Sequence, residues 1–126
     1  MTGEHASVLD ASAVITLIFA ETGHEAVAEV VLAGHAVIGA ANWAEVAQKT
    51  SQKGKDWPAA KGFLQAQVRV EPVTLADAEM AAAYWADHKT LSLGDRLCLA
   101  LADRLELPAL TADSAWEGIG RAKLIR

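Results

Sequence analysis

Short apolar runs alternate along this chain with longer amphipathic ones. Ala6 to Leu9 (ASVL), His35 to Ala40 (HAVIGA), the run VRVEPV that ends at Pro72, and the run ALT after Pro108 are short and apolar, two of them rich in β-branched residues, and they read as buried strands. AKLIR at the C-terminus reads as a further, edge strand. Between them lie helical patterns. ASAVITLIFAETG follows Asp10 and is expected to run until Gly23 stops it as a left-handed C′ residue. Glu25 to Ala33 carries Ala26, Val27, Val30 and Val31 on one side and is closed by Gly34. A third helix begins at Asn42 (NWAEVAQKTSQKGK), with Trp43, Val46 and Ala47 at core spacing and Gly54 as its stop.

DWPAAKGFLQAQ places Pro58 where a first helical turn tolerates it. Thr74 opens TLADAEMAAAYWADH, and its spacing to Asp77 is that of a capping box. After the loop KTLSLG, the stretch from Ser92 to Asp113 (SLGDRLCLALADRLELPALTAD) joins a helix start, an apolar helix, a Pro-marked turn and a strand. Strand and helix in alternation imply a parallel sheet covered by helices on both faces, an α/β fold in one domain over residues 1–126.

Composition narrows the class. A chain of 126 residues that is 52% hydrophobic can fill a core without staples. Its one cysteine, Cys98 in the run LCLALA, rules out a disulfide framework, suits a reducing cytosol and is expected in the core. MTGEHASVLD has no basic segment leading into a long apolar one, and no apolar run is long enough to span a membrane, so the expectation is a soluble, cytoplasmic protein. The net charge of −5 argues against a surface that grips nucleic acid all over, yet leaves room for a local basic strip beside an acidic cleft.

Acids mark that cleft. In an open parallel sheet, ligands bind beyond the carboxyl ends of the strands, where strand order reverses. Asp10 and Asp113 each follow a strand, Glu45 is expected in the first turn of the helix after the second strand, and Asp95 in the first turn of the helix that leads to the Asp113 strand. All four then share one rim. Each also has a bland reading: Asn42 with Glu45 and Ser92 with Asp95 have the N-cap to N3 spacing, and Asp10 and Asp113 resemble ordinary loop acids. Like charges gathered together raise one another's pKa unless a cation sits among them, and hard oxygen donors select Mg²⁺ or Mn²⁺ over zinc. Such ions activate water for displacement at phosphorus, which makes phosphodiester hydrolysis the leading chemistry.

With these residues in hand, the chain resembles the PIN-domain ribonucleases, and more narrowly the VapC-type toxins of bacterial toxin–antitoxin pairs. VLDASA, ANWAEV, LSLGDRLCLALA and LTADSAW carry the resemblance, in the family's order, from Val8 to Trp116. It implies a three-layer α/β/α domain with about five parallel strands, and a Mg²⁺- or Mn²⁺-dependent endoribonuclease. Asp10, Glu45, Asp95 and Asp113 match the family's acidic metal ligands, with Ser12 and Thr111 at the supporting polar positions. It implies, further, a homodimer and a small VapB-like antitoxin that blocks the site.

For RNA, the candidates are Lys49, Lys53 and Lys55, with Lys61 nearby, and Arg96 beside Asp95; all also read as a solvated helical surface. Trp43 and Trp85 sit at core spacing and read as packing or dimer contacts, while Asp103 and Glu106 read as exposed charge. Two rival classes stay open. A receiver-type phosphoacceptor module has a similar length and pattern, but it needs Asp after its third strand, where Glu71 and Pro72 stand; a haloacid-dehalogenase-like phosphatase needs a second Asp at position 12, where Ser12 stands. A non-catalytic binding module would use the acids only as caps.

Overall fold

The computed structural model describes residues 6–126. Five strands, β1 (Ser7–Leu9), β2 (Ala36–Gly39), β3 (Val68–Glu71), β4 (Ala109–Thr111) and β5 (Ala122–Leu124), form one sheet in the order β3-β2-β1-β4-β5. Every pairing is parallel, from Ser7 opposite Ala36 to Thr111 opposite Leu124. The chain builds outward from β1 to β3, then returns to add β4 and β5 on the other side of β1. The strand order therefore reverses between β1 and β4, where a crevice opens beyond the strand ends. This order also differs from the 2-1-3-4-5 order of receiver domains, and Glu71 at the end of β3 is paired to Arg69 and Arg104, so the receiver reading fails on topology and on chemistry.

Six helices cover the sheet: α1 (Ala11–Ile18), α2 (His24–Leu32), α3 (Ala40–Gln52), α4 (Trp57–Gln67), α5 (Leu75–Asp87) and α6 (Leu93–Leu105). Strand alternation sorts the side chains between two cores. Leu9, Ile38 and Leu110 face Val14, Val27, Val31, Val46 and Leu64 of α1 to α4. Val8, Val37 and Ala109 face Cys98, Leu99, Leu101 and Ala102 of α6, with Tyr84 of α5 and Trp116 beside them. This is the three-layer α/β/α arrangement expected from the alternation of elements. Among the described residues, no helix is long and apolar enough to cross a membrane.

Four local expectations change. α1 stops at Ile18, not at Gly23; Ala20 turns the chain with φ 52°, and Gly23 (φ 94°) is instead the N-cap of α2. A Cβ on Gly23 would lie 2.9 Å from the Ile125 carbonyl oxygen, so the C-terminal segment crossing it requires the glycine. α3 begins at Ala40 with Gly39 as N-cap, so Asn42 is inside the helix and Glu45 falls in its second turn. Trp85 is 51% exposed with the Lys89 ammonium 5.0 Å above its ring, which removes the packing reading and not the dimer contact, whereas Trp116 is wholly buried. Asp103 is only partly exposed and accepts a 2.6 Å hydrogen bond from the Tyr84 hydroxyl.

Candidate active site

Asp10 leaves β1 and caps α1, and in doing so it is buried at 3% exposure. Its Oδ1 accepts from the Ala13 amide at 2.7 Å, and its Oδ2 from the Thr111 hydroxyl at 2.7 Å. The Ser12 hydroxyl lies 2.7 and 2.8 Å from the two carboxylate oxygens and accepts from the Ala112 amide at 2.9 Å. β1, the start of α1 and the end of β4 are thus tied to one carboxyl group. Burial pushes its pKa from 3.8 up to about 6 against the opposing hydrogen bonds from Thr111, Ala13 and Ser12, and the charge of Asp95 pushes the same way.

Thr111 passes the network on. Its hydroxyl also accepts from the Asp113 amide at 3.0 Å, and the Asp113 Oδ1 caps the short 3₁₀ turn Ser114–Trp116 by accepting from the Ala115 amide at 2.9 Å. Asp113 is exposed, and this cap engages only its Oδ1.

Glu45 and Asp95 come from the other side. Ser92 and Asp95 form the capping box that their spacing predicts, with Asp95 Oδ2 accepting from the Ser92 amide at 3.1 Å and Oδ1 left over. Asn42 and Glu45 do not form one. The Asn42 Nδ2 instead donates to Glu45 Oε1 at 2.9 Å and to the Gly94 carbonyl at 3.1 Å, which lays the Glu45 side chain against the start of α6. Cys98, one turn further along α6, is fully buried, and its thiol pKa is raised by that burial and by the charges of Asp10, Asp95 and Glu45. Glu45 thus lies against the start of α6 beside Asp95, the charges of Asp10, Asp95 and Glu45 all bear on one buried thiol, and Thr111 links the fourth acid to Asp10.

None of the four carboxylates forms an ion pair with a described residue. Arg96, next to Asp95, is turned away: its Nη1 donates to the Ala81 carbonyl at 2.9 Å and its Nε to the Leu91 carbonyl at 3.3 Å, binding α5 to α6. Among the described residues, no three His, Cys, Asp or Glu side chains are already closed to metal-ligand spacing. The donor set nonetheless fits a hard divalent cation. It is all oxygen, it contains a buried carboxyl without a cationic partner, and Glu45, Asp95 and Asp113 each keep a carboxylate oxygen that these hydrogen bonds leave open. Lys49 lies exposed in the last turn of α3, and the ammonium groups of Lys53 and Lys55 stand 5.0 and 5.3 Å over the Phe19 ring.

Two site features escape the sequence reading. Asn42 has the spacing of a cap to Glu45, and the signal for Gly94 is its place in a first helical turn, where a glycine marks close approach.

An open parallel sheet whose strand order reverses between β1 and β4 places this chain in the class of α/β proteins with a crevice beyond the strand ends. Within that class it belongs to the PIN domain family, whose model matches residues 7–122. No curated protein sequence matches the chain. Among solved structures, a toxin-antitoxin complex from Klebsiella pneumoniae superposes with a TM-score of 0.77 at 18% identity, over 96% of this chain and 98% of that one. VapC20 from Mycobacterium tuberculosis, a toxin that cleaves the sarcin-ricin loop, gives 0.74 at 20% identity, over 92% and 96%. VapBC2 from Rickettsia felis, bound to a DNA fragment from its promoter, gives 0.71 at 12% identity, over 94% and 96%. At these identities the likeness is one of fold.

Proposed function

We propose that this chain is a Mg²⁺- or Mn²⁺-dependent endoribonuclease and the toxin of a toxin–antitoxin pair, restrained by a small VapB-like antitoxin. The observation that carries this reading is the convergence of Asp10, Glu45 and Asp95 on one rim without a cationic side chain paired to any of them, with Asp113 joined through Thr111. Membership of the PIN family and the toxin and toxin-antitoxin structures among its neighbours support it. A divalent ion bound here supplies activated water and charge stabilisation at phosphorus.

The chain's own residues supply the frame. Ser12, Thr111 and the Ala13 amide fix the Asp10 oxygens, and the caps on Asp95 and Asp113 hold one oxygen of each and leave the other unengaged by them. Lys49, Lys53 and Lys55 are the proposed phosphate contacts. Arg96 contributes there only with the donors that its two carbonyl bonds leave over. The protein works in the cytoplasm as a homodimer in this reading. Purified protein given total RNA and Mg²⁺ is expected to cut at mappable sites. Asp10→Asn or excess chelator should lower cleavage by about a hundredfold or more, since a metal's charge stabilisation is worth several kcal/mol. Cleavage that persists in either case would contradict the proposal.

A further inference from the structure

Asn42 is 1% exposed, and both groups that its Nδ2 reaches, Glu45 Oε1 at 2.9 Å and the Gly94 carbonyl at 3.1 Å, are acceptors. Only the NH₂ end of the amide can face them, so the side chain's orientation is dictated by its partners. The Oδ1 is left buried without a partner. An unmet buried acceptor costs on the order of 1–3 kcal/mol, a penalty that an apolar residue of the same volume would avoid. A residue needed only for packing here would not be an asparagine.

Gly94 closes the other side. A Cβ at this position would stand 2.7 Å from Glu45 Oε1, 2.8 Å from its Cδ and 2.9 Å from Oε2, closer than real Cβ contacts come. Its φ is not in the left-handed region, so the backbone does not require glycine; a side chain here would instead push the end of the flexible Glu45 side chain out of the place it occupies against the start of α6. Glycine in a helix costs roughly 0.5–1 kcal/mol relative to alanine, so this position too gives up stability for room. Asp95 follows directly on Gly94, and the same asparagine bridges α3 to α6.

We infer that Asn42 and Gly94 form a cradle that fixes the Glu45 carboxylate beside Asp95, with Asn42 acting as a positioning residue through Glu45. This rests on the metal-dependent reading proposed above. Mn²⁺ titration of the full chain, followed by calorimetry and with folding checked by circular dichroism, tests it. Asn42→Leu, which keeps the branched shape and removes the donor, and Gly94→Ala are each expected to weaken Mn²⁺ binding by about 10–100-fold, the range for groups that orient metal ligands. Both losses should be no larger than that of Glu45→Gln. Thr50→Val, a fully buried change in the same helix at a hydroxyl without a partner, should leave binding unchanged.

Wild-type affinity in a folded Asn42→Leu protein overturns the inference, as does a loss exceeding that of Glu45→Gln or an equal loss in Thr50→Val. If Asn42→Leu does not fold, Gly94→Ala decides alone, and its wild-type affinity overturns the cradle. A wild-type protein that binds no Mn²⁺ would instead sink the metal reading, and the positioning role with it.

Discussion

Asp10 bears the largest electrostatic cost in the site. Its carboxyl titrates at about 6 in the fold against 3.8 when exposed, so the folded state holds that proton more tightly than the unfolded chain does. Stability from this group is complete below the unfolded value and is lost as pH rises through about 6, a loss on the order of 3 kcal/mol. In chelator, Asp10→Asn is therefore expected to melt no lower than wild type at about pH 8, with the difference closing towards pH 5; added Mg²⁺ should raise the wild-type melting temperature at the higher pH. Thermal melts across that range check it, and a clear drop in the metal-free variant would assign Asp10 to capping. The residue's place was legible because a strand followed at once by an acid and a helix is a local pattern. The role of Asn42 was not, since an i, i+3 pair looks the same at a helix start as within it, and only the position of Ala40 decides between them.

The pair α5 and α6 is held by a more ordinary device. Asp77 is the N3 residue of the Thr74 capping box, and Arg104 of α6 grips the same carboxylate with Nε at 2.8 Å and Nη2 at 3.1 Å. Burial raises the Asp77 pKa, but the hydrogen bonds and charge of Arg104 and the Thr74 cap outweigh it and bring the group below its usual value. With a depressed folded pKa, the stabilisation is present above the unfolded value and lost as pH falls through the folded one. Asp77→Ala should cost about 1–2 kcal/mol at neutral pH, a cap plus an ion pair that is buried at Asp77 and partly exposed at Arg104, and the cost should shrink in strong acid; denaturant unfolding at both pH values measures it. Both capping boxes were readable from sequence because their partners lie three residues apart. The end of α1 was not, because the glycine that seemed to stop it is required by Ile125 at the far end of the chain. Nor did spacing tell Trp85 from Trp116, since a helical stripe reports a face and not what covers it.

At the scale of the whole molecule, strand count and parallelism followed from the alternation of short apolar runs with helices. The order β3-β2-β1-β4-β5 did not follow from it, because pairing partners are chosen by packing across the sheet, and only the structure supplies it. That order brings Asp10, Glu45 and Asp95 near enough to the buried Cys98 for all three charges to bear on its thiol, with Asp113 joined to Asp10 through Thr111 and the charge of Asp95 acting on Asp10. We propose that this rim binds a divalent cation. Amide chemical-shift changes on titrating Mg²⁺ into the isotopically labelled protein test it most directly. The largest saturable shifts are expected at Asp10 to Ala13, Glu45, Gly94 to Asp95 and Ala112 to Asp113, and they should vanish in Asp10→Asn. The absence of saturable shifts in the wild type, or shifts centred on exposed carboxylates elsewhere such as Glu25, Glu29 and Glu79, would contradict the claim.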